Sequence, residues 1–178
     1  MIDGGMILEA AIGCVEEDGV GGFGVNAVAR RLGIKPPSLY NHVKNGDELA
    51  LLVVVEGNWR MLRFMESRVK GVEGGEALGV LMCAMREWAH EHEALYMLMS
   101  QHSPDPASVE FKPVLELMFA LFSEALLACG VKESEHVHAL RMLRSMMHGF
   151  ILLEAGSQFA LAEDVTESFE WMIARFKT

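Results

Sequence analysis

Val25-Asn26-Ala27-Val28-Ala29-Arg30-Arg31-Leu32-Gly33-Ile34-Lys35-Pro36-Pro37-Ser38-Leu39-Tyr40-Asn41-His42-Val43 is the stretch on which the fold turns. Val28 and Leu32 lie four residues apart, so they share one face of a short helix. Gly33 stops that helix and tolerates the left-handed backbone of a tight turn. Ile34 plugs the turn. Proline suits a first helical turn, where its missing N–H leaves nothing unpaired, so a second short helix starts at Pro36 or Pro37. Leu39 and Val43 continue the core. Two helices joined this way hold the second at a steep angle to the first.

The outward residues of the second helix are Lys35, Pro37, Ser38, Tyr40, Asn41 and His42. None is acidic. Phosphates are met by cations, hydroxyls and backbone N–H groups, and base edges by short polar or methyl-bearing side chains. The geometry suits entry into a major groove.

Outward from this stretch the periodicity is helical throughout, and no run shows strict alternation with hairpin turns. The fold class expected is all-α, with about nine helices. They are placed at 6–17, 25–32, 36 or 37–42, 47–69, 76–91, 94–100, 109–129, 134–155 and 163–176. Gly19 should stop the first. Asp47 and Glu48 favour the positive N-terminal end of the fourth. Ser134 is the expected N-cap of the eighth. The domain division expected is a three-helix helix-turn-helix head at 1–46 and a helical bundle at 47–178.

The net charge of −10 argues at first against a nucleic-acid partner, but its distribution is uneven. Residues 1–70 hold nine acidic and eight basic residues, and residues 71–178 hold sixteen and seven. Between Gly19 and Gly46 stand Arg30, Arg31, Lys35 and Lys44 with no acid. A local basic stripe on an acidic chain suits a small DNA-binding head on a body with another task. The mean hydropathy of +0.22 and the 51% hydrophobic content exclude general disorder. No apolar run reaches the roughly 18 residues that cross a bilayer, so no membrane partner is expected. Residues 1–5 carry Asp3 and no basic cluster, unlike a secretory leader. Cys14, Cys83 and Cys129 are odd in number and far apart, which fits a reducing cytoplasm better than a disulfide framework.

The first 50 residues resemble the tetracycline-repressor (TetR) family of transcription regulators. The resemblance rests on an alanine-rich first helix, Val28-Ala29, Leu32-Gly33-Ile34, Ser38-Leu39-Tyr40-Asn41-His42-Val43 and Asp47-Glu48-Leu49. Residues 90–99 and 144–159, with Met147-His148-Gly149-Phe150 and Glu154, are similar to a subgroup named for a Trp-His-Gly motif, Met147 standing in the Trp position. The resemblance implies base-facing Lys35, Pro36 and Pro37, and backbone-contacting Ser38, Tyr40 and His42. With Asn26, Asn41 and Lys44 these make the candidate DNA-contact set. Gly24, Val43 and Gly46 depart from the family pattern. The losses are a capping hydroxyl and a phosphate-contacting lysine, so dimerisation should be needed for binding.

The resemblance also implies an effector pocket within helices four to eight, for a small apolar or amphipathic ligand. Trp59, Met85, Trp88, His92, Met118 and Phe122 are its candidates. Methionine, present 13 times, adapts to varied apolar ligands as readily as it fills cores. Helices eight and nine carry more apolar stripe than one core needs. Met142, Met146, Gly149, Phe150 and Leu153 are candidates for a homodimer interface, with Phe169, Met172, Ile173 and Phe176. The reading is a homodimeric, ligand-responsive regulator, a repressor on a palindromic operator, with no cofactor, no metal and no enzymatic activity.

Two other classes compete with it. One is a helical protein that binds a small molecule or partner without DNA. The other is a di-iron carboxylate enzyme, because Glu87-x-x-His90 and Glu135-x-x-His138 imitate its ligand spacing. Helical phase opposes the metal: Leu78, Leu81, Met82, Met85, Trp88 and Ala89 share one face, and Glu87 points away from it.

Overall fold

The structure, a computed structural model, describes residues 2–176. Among them are nine α-helices and no strand: α1 Gly4–Gly22, α2 Val25–Arg31, α3 Pro36–Leu39, α4 Gly46–Val69, α5 Glu76–Glu91, α6 Glu93–Gln101, α7 Lys112–Ala128, α8 His136–Ala155 and α9 Val165–Ala174. The chain forms two compact units. One holds residues 2–60 and His92–Lys112, the other Met61–Glu91 and residues 113–176.

The first unit contains the expected head and adds the start of α4 and all of α6. Asp3 caps α1 by accepting from the Met6 N–H at 2.9 Å. Ile7, Ala10, Ala11, Cys14 and Val15 are all buried, as their spacing requires. Gly19 does break the helix, with φ +71°, yet helical backbone resumes for one more turn to Gly22. α6 packs on α1. His92, at the start of α6, binds Glu16 of α1 (Nδ1 to Oε1, 2.8 Å). Gly57 of α4 makes room for α6, because a Cβ there would lie 2.7 Å from the Met99 sulfur.

The second unit centres on α5, whose predicted inner face (Leu78, Leu81, Met82, Met85, Trp88, Ala89) is buried. Glu87 points outward to Arg68, 2.5 Å from its Nη2. Ser134 does not cap α8. A short 3₁₀ turn, Glu133–Glu135, intervenes, and α8 starts without a side-chain cap. α9 starts at Asp164, whose carboxylate accepts from Thr166 and Glu167 at 2.7 and 3.1 Å.

The spare-surface reading of α9 is corrected: Phe169, Met172 and Ile173 are buried within their own unit. Phe150 of α8 belongs there too, its ring 5.1 Å from Phe169 and 4.9 Å from Phe159. The element that holds these together is Arg86 of α5. Its Nε donates to Glu154 Oε2 of α8 at 2.8 Å, and its Nη2 donates to Glu154 Oε1 and to Thr166 Oγ1 of α9. The guanidinium stacks 4.7 Å from the Phe169 ring centroid. The Arg86 and Glu154 side chains are only 16% and 14% exposed, so this pair is poorly screened by solvent. The guanidinium, and His90 at 3.0 Å, hold the Glu154 carboxyl below its ordinary 4.5. Burial, with Arg144 adding to it, pushes His148 down to about 4, so it is neutral at physiological pH.

Arg86→Met is expected to cost about 2–3 kcal/mol, because it leaves a half-buried carboxylate without its guanidinium; urea unfolding checks this. The acid limb has two parts. A histidine depressed from 6.5 to about 4 destabilises the fold as pH falls through that window. A depressed glutamate contributes stability above pH 4.5 that is lost as pH falls further. His148→Asn should flatten the first part of a stability-versus-pH curve, and Arg86→Met the second.

Candidate nucleic-acid interface

The turn between α2 and α3 is built from backbone alone. Gly33 adopts φ +67°. Its N–H donates to Arg30 O at 3.1 Å, and the Ile34 N–H donates to Ala29 O at 3.0 Å. This pair of bonds is a Schellman ending, which satisfies carbonyls the helix would otherwise leave open. Lys35 is extended (φ −81°, ψ 142°) and Pro36 opens α3. Underneath, Val28, Ala29, Leu39 and Leu49 are fully buried and Val43 is 3% exposed. Val43 therefore keeps the packing position that it was expected to hold.

Beyond α3, the Glu48 N–H donates to Asn45 Oδ1 at 2.8 Å, while the Glu48 carboxylate accepts from the Lys44 N–H. This reciprocal arrangement resembles a capping box and anchors the start of α4. It also holds the Glu48 carboxyl below its ordinary range.

The anchored turn leaves one face open. Asn26, Lys35, Pro37, Ser38, Tyr40, Asn41, His42 and Lys44 are exposed, and Pro36 is half-buried. Tyr40 is 54% exposed, unusual for a large aromatic that has no ligand to meet. It lines a shallow notch of about 290 Å³ with Asn26, Arg30 and residues 22–25 and 27. Arg30 was not among the expected contacts. The signal was present, because Arg30 follows Asn26 by four residues and shares its face.

The basic stripe is thinner than its four charges suggest. Arg31 turns back across α1 and pairs with both carboxylate oxygens of Glu17 at 2.7 Å. Gly13 permits this, since a Cβ there would lie 2.6 Å from the guanidinium. Lys44 lies 3.5 Å from Glu48, though its side chain is 87% exposed. Arg30 and Lys35 are the stripe's remaining cations.

The other candidates are distributed differently. Trp59 and His92 belong to the first unit, and Met85, Trp88, Met118 and Phe122 to the second. Met85, Trp88 and Phe122 are buried, while Trp59, His92 and Met118 are half-buried. On α8, Met142 and Leu153 are exposed, and Met146 and Gly149 are half-buried. Phe176 is half-buried. The carboxylates and histidines at 116, 124, 135 and 138 are exposed. Among the described residues no three His, Cys, Asp or Glu side chains are placed to hold a metal ion. No helix among them is long and apolar enough to cross a membrane.

Two family descriptions match the chain: "Bacterial regulatory proteins, tetR family" over residues 7–53, and "Tetracyclin repressor-like, C-terminal domain" over residues 78–176. YobS, an uncharacterized HTH-type transcriptional regulator of Bacillus subtilis, is 29% identical over 174 residues, which is 96% of this chain and 88% of YobS. BioQ of Mycobacterium smegmatis superposes with TM-score 0.76 at 21% identity, covering 99% of this chain and 96% of BioQ. BioQ with its double-stranded DNA operator gives 0.73 at 19% identity, covering 100% and 99% of the two chains. A substituted TetR from Acinetobacter baumannii in complex with minocycline gives 0.74 at 19%, covering 99% and 95%.

Gly24 precedes α2 without a side-chain cap, and a Cβ there would meet nothing within 4 Å. Gly24→Ser should therefore fold unchanged and stabilise the first unit by a few tenths of a kcal/mol, read as a small rise in Tm.

Proposed function

The chain belongs to the tetracycline-repressor family of DNA-binding transcriptional regulators, and from that premise we propose that it is a homodimeric, ligand-responsive repressor of a palindromic operator. The observation that carries the proposal is the exposed, acid-free face of α3, held by the Gly33 turn over a closed core. Lys35, Pro36 and Pro37 face base edges. Ser38, Tyr40, Asn41 and His42 meet the sugar-phosphate backbone, with Asn26, Arg30 and Lys44 at the flanks. The functional division falls near residue 46, with ligand binding and dimerisation in 47–178.

Dimerisation uses the α8 stripe Met142, Met146, Gly149 and Leu153. A single head with two free cations binds weakly, and two heads reaching grooves about 34 Å apart add their contacts. The effector is small and apolar or amphipathic, and Met85, Trp88, Met118 and Phe122, which share the second unit, remain its candidate contacts. A ligand that changes the separation of the heads releases the operator, and the protein works in the cytoplasm.

A gel shift against DNA flanking the protein's own gene tests this reading. Sequence-specific binding is expected, lost roughly tenfold or more on Tyr40→Ala or Lys35→Ala. Arg30→Ala should weaken binding to all sequences and reduce the salt dependence by about one phosphate contact. An intact dimer that binds no flanking fragment would sink the proposal.

A further inference from the structure

The second unit has a concavity that DNA recognition does not use. It is an open groove of about 570 Å³ formed by the end of α4, the outer side of α5 and α9. Its volume lies within the range of small-molecule sites, about 300–1,000 Å³. The floor is apolar, with Val80 and Ala84 of α5 and Ile173 of α9, and the exposed Ala174 stands at its edge. The polar groups stand at the rim: Glu76, Glu87 and Glu170 against a single cation, Arg68. That cation is engaged. Its guanidinium is 2.5 Å from Glu87 Oε1 and 4.7 Å from the Phe64 ring centroid. Glu76 and Glu170 have no ion-pair partner among the described residues.

Two unbalanced carboxylates above an apolar floor select a ligand by charge and by shape. An organic anion meets a net negative rim. An uncharged apolar compound covers carboxylates without pairing them, which is unfavourable. A compact hydrophilic cation gains nothing from Val80, Ile173 and Ala174. We propose that the α4–α5–α9 groove binds a small amphipathic organic cation, its charge toward Glu76 and Glu170 and its apolar body on the floor. None of its lining residues is among the pocket candidates named above, and its occupancy is readable without DNA.

Cys83 lines the same groove and is the one exposed cysteine among the described residues; Cys14 is buried and Cys129 half-buried. Its alkylation therefore reports what fills the groove. Full-length protein is titrated calorimetrically with tetraphenylphosphonium and with tetraphenylborate, ions of one shape and opposite charge. N-ethylmaleimide labelling of Cys83 is followed by mass spectrometry in parallel. One cation per chain is expected to bind saturably, and to slow labelling about tenfold at about ten times its Kd. The anion should bind at least about tenfold more weakly. Glu76→Gln with Glu170→Gln should weaken the cation roughly five- to tenfold. Ala174→Trp, an exposed position filled with an indole, should block it, both variants keeping wild-type circular dichroism and Tm. Equal affinity for the two ions, unprotected Cys83 at saturation, or unchanged affinity in the double glutamine variant would each overturn the proposal. Absence of saturable binding up to about 1 mM would do the same.

Discussion

The head of this protein depends on one left-handed residue. With Gly33 at φ +67°, the chain reverses after α2 within two residues and two of the helix end's open carbonyls find donors. A side chain at that φ would cost on the order of 1 kcal/mol and more if β-branched. The next features of the motif follow. Ile34 drops into the turn, Lys35 extends, Pro36 starts α3, and Leu39 and Val43 reach the core beside Val28 and Leu49. Because apolar residues occupy the inner positions, the outer ones are released from packing and can be Lys35, Ser38, Tyr40 and His42. The polar chemistry of the exposed face is thus a consequence of where the core ends.

Electrostatics then decides how strongly that face can act. The chain carries −10 overall, and the structure neutralises part of the local basic stripe internally. Arg31 is committed to Glu17, and this commitment raises its already high pKa and holds the Glu17 carboxyl low. Such an exposed pair contributes little stability, so its effect is mainly to fix where the charge sits. The cations that remain are Arg30, on α2, and Lys35, at the N-cap of α3. A head with so few unpaired cations would gain most from being used twice, as the proposed homodimer would use it.

The fold was largely legible in the sequence because helical period, proline and glycine act locally. Buried positions on α1 and α5 followed directly from spacing. Where the reading failed, a non-local contact decided. Ser134 had the right chemistry for a cap, but the chain makes a 3₁₀ turn there and α8 begins at His136. The apolar stripe of α9 looked spare because nothing in its own sequence shows that α5 and α8 are there to cover Phe169 and Met172. Arg30 was missed since it was weighed as charge and not as a neighbour of Asn26. Arg86 was missed for a similar reason: its partners Glu154, Thr166 and Phe169 are 68 or more residues away, although Glu154 stood in the quoted motif.

α9 shows how a short element can carry several surfaces. Its ten residues are too few to hold a helix by propensity alone. The Asp164 cap secures its start, and Arg86 secures its position by bonding Thr166 and stacking on Phe169. Once placed, its sides diverge. Phe169 and Met172 close the core, Glu170, Ile173 and Ala174 line the groove, and Trp171 stays 62% exposed with Arg175 stacked 4.0 Å from its ring centroid. The groove's shape is therefore tied to the Arg86–Glu154 pair. A ligand pressing on Ile173 and Ala174 bears on the same helix that Arg86 holds to α8, and α8 carries the apolar stripe assigned to the dimer. Binding in the groove and the geometry of the dimer would then be linked through α9, with the coupling limited by how differently the ligand binds the arrangements that this helix can take.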